Sequence, residues 1–505
     1  MQEEKTYRNL KRNSLCSLIS LILTFLSGFI LPNLIIRFYG SQVNGLVSSI
    51  NQCLQIFSFL EMGMASVVVS SLYKPIAKED AGLFNRVVSS ASKFYKYLGS
   101  MLFAYVFVLL VAYPSVIGKQ FNSGYTITLI LAMSANMFAQ YYFGIVDFCI
   151  LESTQRAYVY HAAQSLSVIL NIVCSCVLII NGFSVQTVKI MSAFLCVLRP
   201  FFVRIYINKN YSVNRKEKYT QEPISQKWNG IAQHISFVVL QSSDTVILSL
   251  FSTLSNVSVY AVYNLVVAGL GQLMSALFSG VKPILGKTYA NGEYERAQGL
   301  FERLEWFMHN TMVLIYGCTL NLILPFVLTY TCGITDMDYG QPVFAILITL
   351  ANFVYSLRLP YVMLVQAAGR YKETQGSFIA AALCNIIISV MLIDRYGLIG
   401  VAAGTAISML YQTFYLLYYC GRYIWNAHIG KSAKLVLQDI LQMLLIYACT
   451  LKIHIGQYTY AGWVRQAALV FAVSLGIVVC TNALLYRKII FEIFRRMHFK
   501  FRKDS

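Results

Sequence analysis

The chain has 505 residues, of which 57% are hydrophobic and only 12% are charged, and its formal net charge is +19. Because a soluble domain carries about 25% charged residues, this composition excludes an ordinary soluble globular protein. Basic loops beside anionic membrane lipids account for a positive charge of this kind, so no nucleic acid partner is predicted. The composition instead predicts an all-α membrane protein.

The sequence contains about fourteen segments long enough to cross a bilayer, which requires about 20 apolar residues in a helix. The first, at 14–36, contains no Asp, Glu, Lys or Arg. The segments that follow are 44–71, 94–113, 125–148, 157–181, 185–206, 228–251, 257–281, 307–331, 341–366, 374–394, 398–420, 434–454 and 464–486. Their apolar runs are continuous rather than alternating, which favours transmembrane helices over strands.

Lysine and arginine predict the orientation. Most of the 40 basic residues lie in the terminal segments and in the loops on the same side of the membrane. Positively charged loops stay in the cytoplasm, so both termini of a multi-pass protein in the cell inner membrane are predicted to be cytoplasmic. The first apolar run is too long for the hydrophobic region of a signal peptide, so it is predicted to be the first span.

The sequence repeats internally. The segment around Arg156 resembles the segment around Arg370, 214 residues later, and the same shift carries Asn171 onto Asn385. This predicts two six-helix halves in a parallel, pseudo-twofold repeat, followed by two C-terminal helices. The predicted regions are an N-lobe at 1–206, a cytoplasmic linker at 207–227, a C-lobe at 228–420, and the last two spans with a basic tail at 421–505. Duplicated halves are typical of transporters with a central binding site.

No catalytic motif was found in the sequence. The segment 280–288 resembles a phosphate-binding loop, but its spacing is one residue too long. The six histidines show no metal-binding spacing, and most of the twelve cysteines lie within spans. We therefore predict no enzymatic activity, no metal and no cofactor. Transport would use a proton or sodium gradient, or the downhill consumption of the substrate.

Four degenerate motifs together resemble a known family. They are Tyr39-Gly40 with Glu61-x-Gly63 in span 2, Tyr263-Asn264 with Lys282-Pro283 in span 8, Gly369-Arg370-Tyr371 after span 10, and Gly397-x-x-Gly400-x-x-x-Gly404 in span 12. Over nearly the whole chain, the set resembles the Wzx-type polysaccharide repeat-unit flippases, which serve O-antigen and capsule synthesis. These flippases belong to the multidrug/oligosaccharidyl-lipid/polysaccharide exporter (MOP) superfamily.

The resemblance implies alternating access that carries an undecaprenyl-pyrophosphate-linked oligosaccharide from the cytoplasmic to the periplasmic leaflet. It also implies a polysaccharide polymerase and glycosyltransferases of the same pathway as partners. Two alternatives stay open within the superfamily. A flippase for lipid-linked peptidoglycan precursor typically carries more basic charge in its first span, where this chain has none before Arg37. A drug/cation antiporter normally has twelve spans.

Polar side chains inside or at the ends of spans are the candidates for the site, because charge within a membrane faces protein or water. The candidates for the substrate cavity are Arg358, Arg199, Arg37, Lys282, Asn44, Gln241 and Asn264. Arginine binds pyrophosphate through charge-assisted hydrogen bonds. The alternatives are headgroup contact for the cations and helix-to-helix hydrogen bonds for the amides. The candidates for ion coupling or internal charge pairing are Glu61, Asp244 and Asp147.

Overall fold

The computed structural model describes residues 2–61, 63–118, 120–224, 231–278, 281–425, 430–453 and 458–485. In these ranges every regular element is helical, which confirms the predicted all-α class. In chain order the helices are α1 (Gln2–Tyr39), α2 (Ser41–Ile56), α3 (Met64–Ala77), α4 (Ala81–Ile117), α5 (Ser123–Ala139), α6 (Ile145–Ser153), α7 (Ala157–Ile180), α8 (Val185–Asn210), α9 (Ile231–Phe251), α10 (Leu254–Phe278), α11 (Val281–Ala290), α12 (Tyr294–Tyr330), α13 (Pro342–Leu357), α14 (Leu359–Ala367), α15 (Tyr371–Tyr396), α16 (Leu398–Tyr419), α17 (Gly430–Thr450) and α18 (Tyr460–Leu485).

Among the described residues, twelve helical segments are long and apolar enough to cross a membrane. The two other predicted spans, 44–71 and 228–251, correspond to α2 with α3 and to α9. Many large apolar side chains on these helices are exposed, as on α1, α4 and α8. Exposed apolar surface of this extent marks a surface that contacts lipid, so the structure is that of a multi-pass membrane protein.

The predicted span 44–71 is not one continuous helix. A short 3₁₀ turn at Phe57–Glu61 follows α2, and Gly63 precedes α3 with a φ of 67°. That left-handed conformation is accessible to glycine at little cost, whereas a side chain would be strained there. The acidic-x-glycine motif of the sequence therefore marks a break in the span.

Two prolines within predicted spans differ in their effect on the helix. Pro360 lies in the first turn of α14, and Arg358 forms the junction between α13 and α14. A proline is tolerated in a first helical turn because its missing N–H would be unpaired there anyway. In contrast, α8 continues through Pro200, which faces Gly144 in a π-helical turn at Gln140–Gly144.

The structure divides into two compact units, Met1–Ala261 and Val262–Ser505. In the first unit, hydrogen bonds join the N-terminal part of α1 to the start of α7 and the C-terminal end of α1 to the loop that follows α7. The backbone N–H of Tyr158 donates to Asn13 Oδ1 over 2.8 Å, and the Tyr39 hydroxyl donates to the Phe183 carbonyl over 2.6 Å. The predicted lobe boundaries at 206 and 228 stay a prediction.

In the second unit, small residues allow α15 and α16 to approach closely. A Cβ added at Gly404 would lie 2.3 Å from Ser389 Oγ, and one at Gly400 would lie 2.6 Å from the Leu392 carbonyl oxygen. Glycines four residues apart on one helix face permit this close packing in membranes. The glycine motif of span 12 is thus a packing surface.

The two C-terminal helices, α17 and α18, both pack against α12. Trp306 Nε1 donates to Asn482 Oδ1 over 2.9 Å, and Gln438 Nε2 donates to the same oxygen over 3.2 Å. Asn482 in turn donates to Asn310. Because interhelical hydrogen bonds of this kind stabilise membrane helix pairs, these side chains hold the last two helices against α12.

Candidate functional site

Arg358 is a buried cation at the junction of α13 and α14, with 3% of its surface exposed. Its Nη1 donates to the side-chain oxygen of Gln412, and its guanidinium carbon lies 4.0 Å from the ring centroid of Tyr355. Its Nε has no hydrogen-bond partner in the described chain, and no carboxylate there forms an ion pair with it. A buried charge without a counter-charge is costly, and within the described chain Gln412 and the ring of Tyr355 offset part of that cost.

Arg199 is a second buried arginine within a span, on α8 of the first unit, and is 7% exposed. Its guanidinium carbon lies 5.5 Å from the ring centroid of Tyr160 on α7, an arrangement that allows cation–π attraction. Nε again lacks a hydrogen-bond partner within the described ranges. Protein covers this side chain, as it covers that of Arg358, so neither guanidinium extends to the surface in the way that headgroup contact would require.

Asp147 on α6 is fully buried and held between two arginines. Its Oδ2 accepts from Arg204 Nε over 3.0 Å, and its Oδ1 accepts from Arg215 Nη2 over 2.7 Å. Both carboxylate oxygens therefore accept charge-assisted hydrogen bonds, which are about twice as strong as neutral ones. Of the two roles expected for Asp147, this geometry is that of internal charge pairing.

Arg215 belongs to the predicted linker, and the first part of that linker packs against the first unit. Tyr211 and Thr154 share a hydrogen bond of 2.9 Å between their hydroxyls, and burial raises the pKa of the Tyr211 phenol. Lys93 Nζ lies 4.3 Å from the ring centroid of Tyr219. Residues 225–227 of the predicted linker lie outside the described residues.

Two further polar candidates are buried in the first unit, each with a hydrogen-bond partner. Asn44 Nδ2 donates to Ser258 Oγ over 2.8 Å, and the Tyr260 hydroxyl donates to Asp244 Oδ2 over 3.0 Å. Glu61 follows α2 and lies near the phenol of Tyr95. The hydrogen bond of Asn44 is the helix-to-helix alternative raised for the amides.

The remaining candidates occupy less buried positions. Arg37 is exposed in the last turn of α1, and Lys282 is exposed near the start of α11. Asn264 is half-buried on α10. Gln241 lies in α9, but its side chain is outside the described part of the structure.

One polar cluster was not anticipated from the sequence. Glu305, which the span assignment places in a cytoplasmic connection, is buried on α12 and accepts from the Tyr361 hydroxyl over 2.7 Å. One turn later, His309 Nδ1 lies 2.6 Å from Asp439 Oδ2 of α17. The i, i+4 spacing of Glu305 and His309 can be read from the sequence, but their partners Tyr361 and Asp439 are 56 and 130 residues further along the chain.

Among known proteins, no family model matches the sequence, and no curated protein matches it. The fold, however, is shared with solved structures. A structure of lipid II flippase MurJ in an inward closed conformation matches with a TM-score of 0.68 and 17% identity, covering 95% of this chain and 99% of that chain.

Two other solved structures match over shorter parts of this chain. A MOP superfamily transporter from Pyrococcus furiosus has a TM-score of 0.53 and 14% identity, covering 82% of this chain and 95% of its own. The eukaryotic MATE transporter AtDTX14 has a TM-score of 0.54 and 12% identity, covering 86% and 99%. At these identities the likeness concerns the fold, and this chain therefore has the fold of the MOP superfamily transporters.

Proposed function

We propose that this chain is a flippase that carries an undecaprenyl-pyrophosphate-linked oligosaccharide from the cytoplasmic to the periplasmic leaflet for surface polysaccharide synthesis. The observation that carries the proposal is the fold match to a flippase of a lipid-linked precursor, which extends over 95% of this chain and 99% of that one. The matches to the Pyrococcus furiosus transporter and to AtDTX14 cover 82% and 86% of this chain. A whole-length match is expected if the last two helices serve the same kind of cargo.

The two buried arginines supply the chemistry that this cargo requires. The polyprenyl tail can stay in lipid, but the pyrophosphate and the sugars cannot. Arg358 and Arg199 each combine a buried guanidinium with an unpartnered Nε, and neither is neutralised by a carboxylate in the described chain. Guanidinium groups bind phosphate oxygens in bidentate fashion, so these two side chains suit a pyrophosphate better than a cationic drug.

In this proposal the protein lies in the cell inner membrane with both termini in the cytoplasm. A polysaccharide polymerase and the glycosyltransferases of the same pathway are its functional partners. The transport cycle uses alternating access and is driven by a proton or sodium gradient, or by consumption of the cargo on the periplasmic side.

Deleting the gene is expected to block export of one surface glycan and to leave its lipid-linked unit in the cytoplasmic leaflet. The unit would be extracted and quantified from spheroplasts after treatment with a membrane-impermeant glycosidase, which removes only periplasmic units. The wild-type gene on a plasmid is the control and should restore export. If the unit became accessible to the glycosidase in a strain with no substitute flippase, the proposal would be overturned.

A lipid-linked peptidoglycan precursor is the second candidate, because the matched flippase is named for lipid II. Against it stands the first span, where 14–36 contains no basic residue. The same deletion strain separates the two. A block in cell-wall synthesis, with surface glycan unaffected, would identify the peptidoglycan precursor as the cargo.

Replacing Arg358 with alanine is expected to reduce glycan export about tenfold or more, because a hydrogen bond to a charged group contributes ~1.5–3 kcal/mol. Arg37→Ala should have a smaller effect, since Arg37 is exposed at the end of α1. Export would be measured at matched expression of both variants. Arg358→Lys keeps the charge but loses the planar guanidinium with its paired donors, so this variant should retain only part of the wild-type export. Wild-type export by both alanine variants would remove the proposed role of Arg358.

A further inference from the structure

Four tyrosines form a continuous row on one helix of the second unit. They are Tyr411, Tyr415, Tyr419 and Tyr423, on α16 and on the π-helical turn Cys420–Ile424 that follows it. Successive ring centroids are 6.3, 6.3 and 5.1 Å apart, with interplanar angles of 37°, 13° and 32°. Residues four apart lie on the same helix face, so the rings follow one another along the helix. We refer to these four residues as the tyrosine ladder.

The tyrosine ladder extends too deep into the span to be an interfacial belt. The span covers Leu398–Ile424, and Tyr411 lies at its midpoint. At 1.5 Å per residue, the twelve residues from Tyr411 to Tyr423 correspond to about 18 Å along the helix. Interfacial tyrosines occupy the ends of spans, where the headgroups are. This accounts for Tyr423, and packing on a hydrophobic cluster accounts for Tyr415, but Tyr411 is explained by neither.

The two end members of the ladder are exposed, whereas Tyr419 is buried in a hydrophobic cluster and Tyr415 is half-buried against that cluster. Tyr411 is 41% exposed and Tyr423 is 62% exposed. Within the described part of the chain, the hydroxyls of Tyr411, Tyr415 and Tyr423 form no hydrogen bond. In hydrocarbon an unsatisfied hydroxyl costs several kcal/mol. A face with such hydroxyls at mid-span is therefore suited to water or to a polar ligand rather than to acyl chains.

The duplicated fold does not itself require the ladder. In the predicted repeat, a shift of 214 residues relates the first half to the second, as it carries Arg156 onto Arg370. The positions on α8 that correspond to the four tyrosines carry Val197, Phe201, Ile205 and Lys209. The tyrosines are thus particular to one half, where Tyr415 and Tyr419 also pack in a hydrophobic cluster and Tyr411 and Tyr423 remain exposed.

An ion pair lies near the third tyrosine of the ladder. Arg370 is close to Tyr419 and forms an exposed ion pair of 3.1 Å with Glu373. The ladder therefore begins beside a charged group near one end of the span and reaches its midpoint. An amphiphile whose headgroup lies at that end of the span would bring the rings attached to it alongside these aromatic side chains.

We propose that the tyrosine ladder binds the sugar rings of the lipid-linked oligosaccharide. A pyranose has an apolar C–H face, which packs on an aromatic ring, and hydroxyls at its edge, which pair with phenol hydroxyls that both donate and accept. An acyl chain would use the rings but leave the hydroxyls unpaired. The inference rests on the proposed function, because it assigns a binding surface to the sugar part of that cargo.

The test compares two ligands and four variants of the full chain in lipid nanodiscs. The probes are the lipid-linked glycan that accumulates in the deletion strain and bare undecaprenyl pyrophosphate. The variants are Tyr411→Leu, the double variant Tyr411→Leu/Tyr415→Leu, Tyr415→Phe, and the control Phe414→Leu. Phe414 is 58% exposed on the same helix and is not part of the ladder. Thermal unfolding of each variant shows that it is folded.

The double variant is expected to bind the glycan-bearing lipid about tenfold more weakly and bare undecaprenyl pyrophosphate as the wild type does. Tyr411→Leu should lose less affinity for the glycan-bearing lipid than the double variant does. Tyr415→Phe should keep most of that affinity, and Phe414→Leu should bind this lipid as the wild type does. The ladder would be excluded if wild type bound both lipids equally, or if the leucine variants and wild type bound the glycan-bearing lipid equally. Equal loss for both lipids would also overturn it. If no lipid-linked glycan accumulated in the deletion strain, the proposed function itself would fail.

Discussion

Asp147→Ala is expected to destabilise the folded protein by ~3–5 kcal/mol, the usual cost of removing one partner from a buried ion pair. The substitution leaves Arg204 and Arg215 facing each other without the carboxylate that both now contact. Because Arg215 is on the chain that follows α8, its release should also loosen residues 211–224. Thermal unfolding of the purified protein measures the first effect, and limited proteolysis of this segment measures the second.

An exposed ion pair provides the matched control. Glu293 accepts from Arg296 over 2.7 Å at the start of α12, and that arginine is largely solvent-exposed. Exposed pairs contribute little, so Glu293→Ala should leave unfolding unchanged. Adding Arg215→Ala to Asp147→Ala should recover part of the lost stability, because it removes one uncompensated cation. If the double variant lost as much stability as the two single variants lose together, the buried ion pair described above would be contradicted.

The sequence predicts the apolar parts of the helices well and their polar extensions poorly. Hydropathy detects only the residues that lipid must cover, so it begins the third span at 94, whereas α4 begins at Ala81. For the same reason Glu305 is assigned to a cytoplasmic connection, although it lies inside α12 and contacts Tyr361. Proline alone does not indicate a break, because Pro360 lies where one helix ends and the next begins, whereas α8 continues through Pro200.

Candidate residues are predictable where a charge interrupts an apolar run, but their partners are not. Arg358 and Arg199 stand out in the sequence for that reason. Arg358 meets Gln412 only because α16 packs against α13, and Arg199 meets Tyr160 only because α7 packs against α8. Likewise, Arg204 and Arg215 are 57 and 68 residues from Asp147, so no local pattern indicates that pair.

Gly45→Ala is expected to prevent close packing between α2 and the start of α10. A Cβ at this position would lie 1.7 Å from the Leu254 carbonyl oxygen, far inside any allowed contact. The neighbouring Asn44 donates to Ser258. Relief requires movement of a helix backbone, and we expect a loss of at least ~3 kcal/mol of stability.

The yield of monodisperse protein and its midpoint of thermal unfolding would measure the loss. Gly271→Ala in α10 is the matched control, since a Cβ there would meet nothing within 4 Å, and alanine favours the helix by about 1 kcal/mol. Because the obstructing atom at Gly45 belongs to the backbone, adding Leu254→Ala to Gly45→Ala should not restore stability. Recovery in that double variant, or normal unfolding of Gly45→Ala alone, would show that α2 and α10 are not packed backbone to backbone.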